Sequence, residues 1–277
     1  MDALAVSPIS SWVSIWVEVA YPVLTAASLA MARCLGVVLI SPVFNRLGMT
    51  GLLRSVVALV FSLPAVPMLL PLVTAETSHS PLAFVGMLGV EMIVGMLLGA
   101  VYGVPIWAAE AAGELIDLQR GSTMSQLLDP MSATESSVTA TLFSILVIAL
   151  FFLSNGLFVL LRGIYDSYAI WPVGELFPAL QEGTGLAVLG LLDHVLALAV
   201  LMVAPLMVAI LVADLLLAYL SRMAPSLHVF DLSMPVKNLL FVVLMVLYMA
   251  FLIPDMLTAL DTVTSVSDWV AQDVVHP

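Results

Sequence analysis

Glu110, Glu114 and Asp117 stand at i, i+4 and i+7, so on one continuous helix they share a face. Carboxylates at i and i+4 repel unless water or a cation attends them. Just beyond them the chain passes Gln119, Arg120 and Gly121 into Ser122, Thr123, Met124, Ser125, Gln126, Leu127 and Leu128, and then Asp129-Pro130. The Asp-Pro step is a turn signal that disfavours helix at its first residue. Further acidic groups, Glu91, Asp193 and Asp214, interrupt apolar runs. Carboxylates in such places are the groups an ion-coupled secondary transporter would use. That reading also expects an inverted repeat with matched broken helices, and no repeat is visible. An enzyme would need a converging nucleophile, base or metal set. The histidines (His79, His194, His228, His276) are scattered, and Cys34 is the single cysteine. No cofactor or metal is expected, and no internal disulfide. Cys34, inside an apolar run, reads as a small buried hydrophobe.

The elements that would position these groups are apolar helices. The chain is 62% hydrophobic and 9% charged over 277 residues, where a soluble domain carries about 25% charged residues. Several runs exceed the roughly 18 apolar residues of a bilayer-spanning candidate. The expectation is an all-α, polytopic membrane protein of about six long apolar segments, some kinked or hairpin-like, forming a single domain over residues 1–277. A net charge of −12 argues against a nucleic-acid partner and gains little from an anionic lipid leaflet; it is the apolar segments that make membrane lipids the expected surroundings. The first basic residue is Arg33, so a retained first helix is expected in place of a cleavable signal peptide. The connection holding Arg46 and Arg54 is the one clearly positive loop, a weak mark of a cytoplasmic side.

In order, the helical candidates are Trp12 to Ile40, kinked at Pro22; Leu52 to Leu72, weakened by Pro64 and Pro67; a third from Leu82; and Val138 to Leu161. The aromatic-rich stretch from Gly163 to Gly185 reads as interfacial or re-entrant. The fifth candidate, Leu186 to Leu220, would be about 50 Å long as one helix, so it is either a hairpin or projects beyond a bilayer. A sixth runs to about Leu260, followed by a short acidic tail over 261–277. In the third, Gly95, Gly99 and Gly103 recur every four residues, a stripe that lets another helix backbone approach closely. Extended along an ideal helix, the stripe runs into the face carrying Glu110, Glu114 and Asp117. Glu110 to Ser137 is the longest strongly polar interval in the chain, and residues 120–137 read as its loop. Between membrane-length helices such a loop must lie in headgroups, line water or be buried in protein.

Two stretches resemble one family. IDLQRGST (Ile116 to Thr123) followed by Asp129-Pro130 is the first, and LSRMAPSLHVFDLSMPVK (Leu220 to Lys237) is the second. Together they resemble the T subunit of the type III secretion export apparatus, SctT, whose flagellar counterpart is FliR. The order of apolar segments fits too, and the Ile-Asp-x-Gln-Arg-Gly form looks more like injectisome members. His228 stands where asparagine is expected. The resemblance implies a non-enzymatic subunit of an inner-membrane export gate, in part above the membrane plane. Its implied partners are R-type and S-type subunits, the U-type switch subunit, and unfolded secreted proteins in transit. It also implies that the polar loop, Gln119 to Pro130 and on to Ser137, is a plug that helps close the channel. Glu110, Glu114, Asp117, Asp214, Arg222, Pro225, Pro235 and Lys237 are then candidates for charge pairs or subunit contacts. Lys237 after Pro235 is expected at the start of the last helix, where a cation needs an acidic partner.

Overall fold

A computed structural model describes residues 16–75, 81–121, 137–174, 184–224 and 229–275. Among them the chain is helical, with no strand. Following a π-helical turn at Trp16–Ala20, the α-helices are α1 (Tyr21–Ile40), α2 (Pro42–Arg46), α3 (Gly51–Ser62), α4 (Val66–Ala75), α5 (Pro81–Arg120), α6 (Val138–Leu153), α7 (Gly156–Ile170), α8 (Thr184–Met223) and α9 (Val229–Val275). Among the described residues five helices are long and apolar enough to cross a membrane, or six if the bent pair α6 and α7 makes one span. The chain is thus a multi-pass, all-α membrane protein.

The prolines act as expected in the second candidate, where the 3-10 turn Leu63–Ala65, with Pro64, separates α3 from α4. Elsewhere the boundaries differ from the sequence reading. The run from Val138 to Leu161 is not one helix. It breaks at Ser154 and Asn155, and Asn155 takes a left-handed φ of 61°. Asparagine tolerates that region better than other residues with a Cβ. Tyr165 and Tyr168, in the stretch read as interfacial or re-entrant, lie in α7, which forms a bent pair with α6. The fifth candidate is neither split nor hairpin-like: α8 continues through Pro205 for 40 residues, about 60 Å at helical rise. The acidic tail likewise continues α9 as far as Val275.

The chain divides into two compact units, residues 1–102 with 158–181 and 271–277, and residues 103–157 with 182–270. In the first unit, Ala26 and Ala30 of α1, Ala65, Leu69 of α4 and Tyr168 of α7 form a buried cluster. The glycine stripe packs on α1. A Cβ on Gly95 would overlap the carbonyl oxygen of Arg33, and one on Gly99 would lie 2.7 Å from that of Val37. Gly36 returns the contact, since its Cβ would overlap the Met92 carbonyl. Gly103 is buried. The close backbone approach expected of the stripe is present at Gly95 and Gly99, and its partner is a helix of the same chain.

In the second unit, Gly113 of α5 does the same for α6, where a Cβ would overlap the backbone of Ala140. The α8 and α9 helices are tied by Tyr248 Oη, which donates to the Met202 carbonyl at 3.0 Å.

Candidate functional site

Charges inside apolar helices persist only when paired and hydrogen-bonded. Among the described residues of the first unit there is one such pair. Arg33 is fully buried and donates through Nε and Nη2 to the two carboxylate oxygens of Glu91, at 2.6 and 3.1 Å. Nη1 donates to Ser167 Oγ and Nη2 to the Trp171 carbonyl, both at 2.9 Å. The guanidinium lies 3.9 Å from the centroid of the Tyr168 ring, a cation–π contact. Glu91, read above as a possible ion-coupling group, is therefore held as the counter-ion of Arg33. Cys34 is buried, as its apolar setting suggested.

The second unit holds the residues that flank the polar interval 122–136, which itself lies outside the described residues. The last turn of α5 ends at Arg120, and Gly121 follows at a φ of 78°, the left-handed conformation that closes many helices. Its amide donates to the Leu118 carbonyl at 3.1 Å. The far end restarts at Ser137, whose side chain caps α6 by accepting from the Ala140 amide at 3.0 Å. One carboxylate joins these ends. Asp117, 2% exposed, accepts from the Thr139 amide at 3.1 Å and from Thr139 Oγ1 at 2.6 Å. It also accepts from Ser137 Oγ and from Arg120 Nη2. Arg120 donates in addition to Thr139 Oγ1 at 3.2 Å, and its guanidinium lies 4.1 Å from the centroid of Phe241 on α9.

A second set of contacts holds the end of α5 to α8 and α9. Gln119 Nε2 donates to the Met207 carbonyl at 2.8 Å. Lys237 Nζ donates to the Gln119 carbonyl at 3.3 Å and pairs with Asp214 Oδ1 at 3.0 Å. Asp214 and Lys237 thus pair within the chain.

The expected residues are only partly brought together. Asp117, Gln119, Arg120, Gly121, Asp214 and Lys237 meet in this unit. On the continuous α5, Glu110, Glu114 and Asp117 differ in burial: Asp117 is buried, Glu114 is exposed and Glu110 lies between. They share a helix face within a narrow arc, and what packs on it buries one and leaves another open. Pro235 and Lys237 sit inside α9, which begins at Val229, and not at its first turn. Arg222 ends α8 and is exposed, where a cation suits the helix dipole. Ser122, Thr123, Met124, Ser125, Gln126, Leu127, Leu128, Asp129, Pro130 and Pro225 lie outside the described residues. Sequence reasoning missed Ser137 and Thr139 as partners of Asp117, and Arg33 as partner of Glu91. The available signal was the same in each case, a charge or hydroxyl standing in or beside an apolar run.

The chain is 35% identical over 162 residues to Yop proteins translocation protein T of Yersinia pestis, a match covering 58% of this chain and 62% of that protein. Against surface presentation of antigens protein SpaR of Salmonella typhimurium it is 27% identical over 249 residues, 88% of this chain and 90% of the relative. Flagellar biosynthetic protein FliR of Escherichia coli matches at 28% over 170 residues, 59% of this chain and 62% of its own. Residues 24–263 match the model of bacterial export proteins, family 1. That match covers most of the chain and takes in both motifs that resemble the T subunit of the type III secretion export apparatus, and the chain belongs to this family.

Proposed function

We propose that the chain is a structural and gating subunit of a type III secretion export channel in a bacterial inner membrane, and that it catalyses nothing itself. Its partners would be R-type, S-type and U-type subunits, and unfolded proteins would pass along the channel. The observation that carries the gating part is the Asp117 carboxylate, which ties Arg120 to Ser137 and Thr139. Clasping the two flanks of the polar interval at a buried point would let a closure there yield to substrate without loosening α5 and α6. A polypeptide-wide lumen needs a closure that yields to substrate, because an open one would leak ions. Gly121, Ser122, Thr123, Ser125 and Gln126 supply backbone freedom and hydrogen bonds that water can replace. Leu127 and Leu128 supply a small apolar contact.

The test is to delete about Ser122 to Leu128. The complex is expected to assemble, and cells carrying it to leak ions or to become sensitive to small molecules. A deletion that assembles and stays tight would place the seal elsewhere and leave this loop a connector.

A further inference from the structure

The last four carbonyls of a helix have no partner within it. In α5 those include the carbonyl of Gln119, two residues before the left-handed Gly121. The group facing it comes from another helix: Lys237 Nζ of α9, at 3.3 Å. The negative end of a helix dipole favours a cation there, and an ammonium has three N–H donors to share. Asp214 takes one, at 3.0 Å, but its side chain is 38% exposed against 13% for Lys237. An ion pair open to solvent at its acidic end fixes little by itself. The lysine is the better-buried partner, and it is the one that reaches the helix end. Gln119 is further pinned through its side chain to Met207 of α8.

We propose that Lys237 is a positioning residue that caps the carboxyl end of α5 from α9, and that neutralising Asp214 is its secondary role. The two sets of contacts then divide the work. Asp117 holds the two ends of the polar loop to each other, whereas Lys237 and Gln119 hold the near end to α8 and α9. Asp214 orients the ammonium from the side. The geometry of this cap stands independently of the gating reading, while its consequence for export rests on that reading.

The substitutions separate donor from charge. Lys237→Arg keeps a cationic donor. Lys237→Met removes it. Asp214→Asn removes the ion pair and leaves the ammonium free to cap. The exchange Asp214→Lys with Lys237→Asp restores an ion pair, but an aspartate at 237 cannot donate to a carbonyl. Amide hydrogen exchange of Leu118 to Gly121 is read in the purified complex of each variant, with secretion measured in cells. Exchange should quicken several-fold, up to about tenfold, in Lys237→Met and in the swapped pair, and change little in Lys237→Arg and Asp214→Asn. Secretion should fall in the same order. A swapped pair with wild-type protection would reduce Lys237 to an ion-pair partner and overturn the proposal, as would Asp214→Asn matching or exceeding Lys237→Met. If Lys237→Met fails to assemble, the contrast between Asp214→Asn and the swapped pair still decides. Normal protection changes without any change in secretion would keep the cap and count against the gating reading.

Discussion

Arg33 and Glu91 meet side-on, Nε to Oε2 at 2.6 Å and Nη2 to Oε1 at 3.1 Å, in a setting where both side chains are essentially excluded from solvent. They lie 58 positions apart in the sequence, one on α1 and one on α5. The pair sits beside the seam where Gly95 meets the Arg33 backbone, so the same residue supplies both the close approach and the charge. With Ser167 and Trp171 as further acceptors, at least four of the five guanidinium N–H groups are used. A planar fork suits that demand, and a lysine does not.

Removing one partner should therefore cost more than removing both. Glu91→Ala or Arg33→Ala is expected to destabilise the purified protein by about 3–5 kcal/mol, because a buried charge is left unpaired. The apolar pair Arg33→Met with Glu91→Leu should be milder than either. Arg33→Lys should recover little. Thermal unfolding in detergent, with the amount of folded protein per cell, checks the order. Equal cost for the single and double variants would mean the pair is not mutually dependent.

The glycines give a graded prediction from the space around each. A Cβ at Gly95 meets backbone that cannot swing aside, and Gly99 is nearly as tight, at 2.7 Å. Gly95→Ala should cost about 1–3 kcal/mol, with Gly99→Ala at the lower end. Gly89, on the same helix, has nothing within 4 Å of its added Cβ. Gly89→Ala should be neutral or stabilising by up to about 1 kcal/mol, from helix propensity. The isolated protein is the right sample for all three. A Gly89→Ala variant normal alone but unable to enter the complex would mark a partner helix at that face.

Much of the fold was legible because apolar run length and proline position are local properties. The end of α1 at Ile40, the starts of α5 and α8, and the proline-weakened passage from α3 to α4 follow from them. The glycine stripe announced a close helix contact, but periodicity names a face and never the helix that meets it. For the same reason Arg33 and Glu91 were visible as odd charges and not as a pair. Within the site, Asp117 stood out by type, while its burial and Glu114's exposure depend on what packs around α5. The break at Asn155 was hidden because Ser154-Asn155-Gly156 is too short to interrupt a hydropathy pattern.

That break carries its own test. Asn155 has φ 61°, and a Cβ on Gly156 would overlap the Phe151 ring. Asn155→Gly should be tolerated, since glycine reaches the left-handed region freely. Asn155→Val should cost about 1–2 kcal/mol, from the clash of a branched side chain there. Melting temperature in detergent reads both. If valine is as good as glycine, the turn relaxes to another conformation.

Asp117 is the group on which the two ends of the polar loop depend, and substitutions at it separate holding from closing. Its carboxylate answers a backbone amide, two hydroxyls and the Arg120 guanidinium. Asp117→Ala strands several of these donors at once in a buried site, at about 1–3 kcal/mol for each group left unsatisfied. Asp117→Asn keeps one acceptor oxygen, loses the charge facing Arg120 and should fall between alanine and wild type. Ser137→Ala, which removes the α6 cap as well as one donor, should cost about 0.5–2 kcal/mol. Because these contacts tie the loop ends together, the order expected in stability (wild type, Ser137→Ala, Asp117→Asn, Asp117→Ala) should be repeated in reverse as ion leakage from cells with equal amounts of assembled complex. Conductance that rises only when assembly falls would mean that Asp117 supports the helices and has no separate part in closure. Leakage from Asp117→Asn at undiminished assembly would tie the closed state to this one carboxylate.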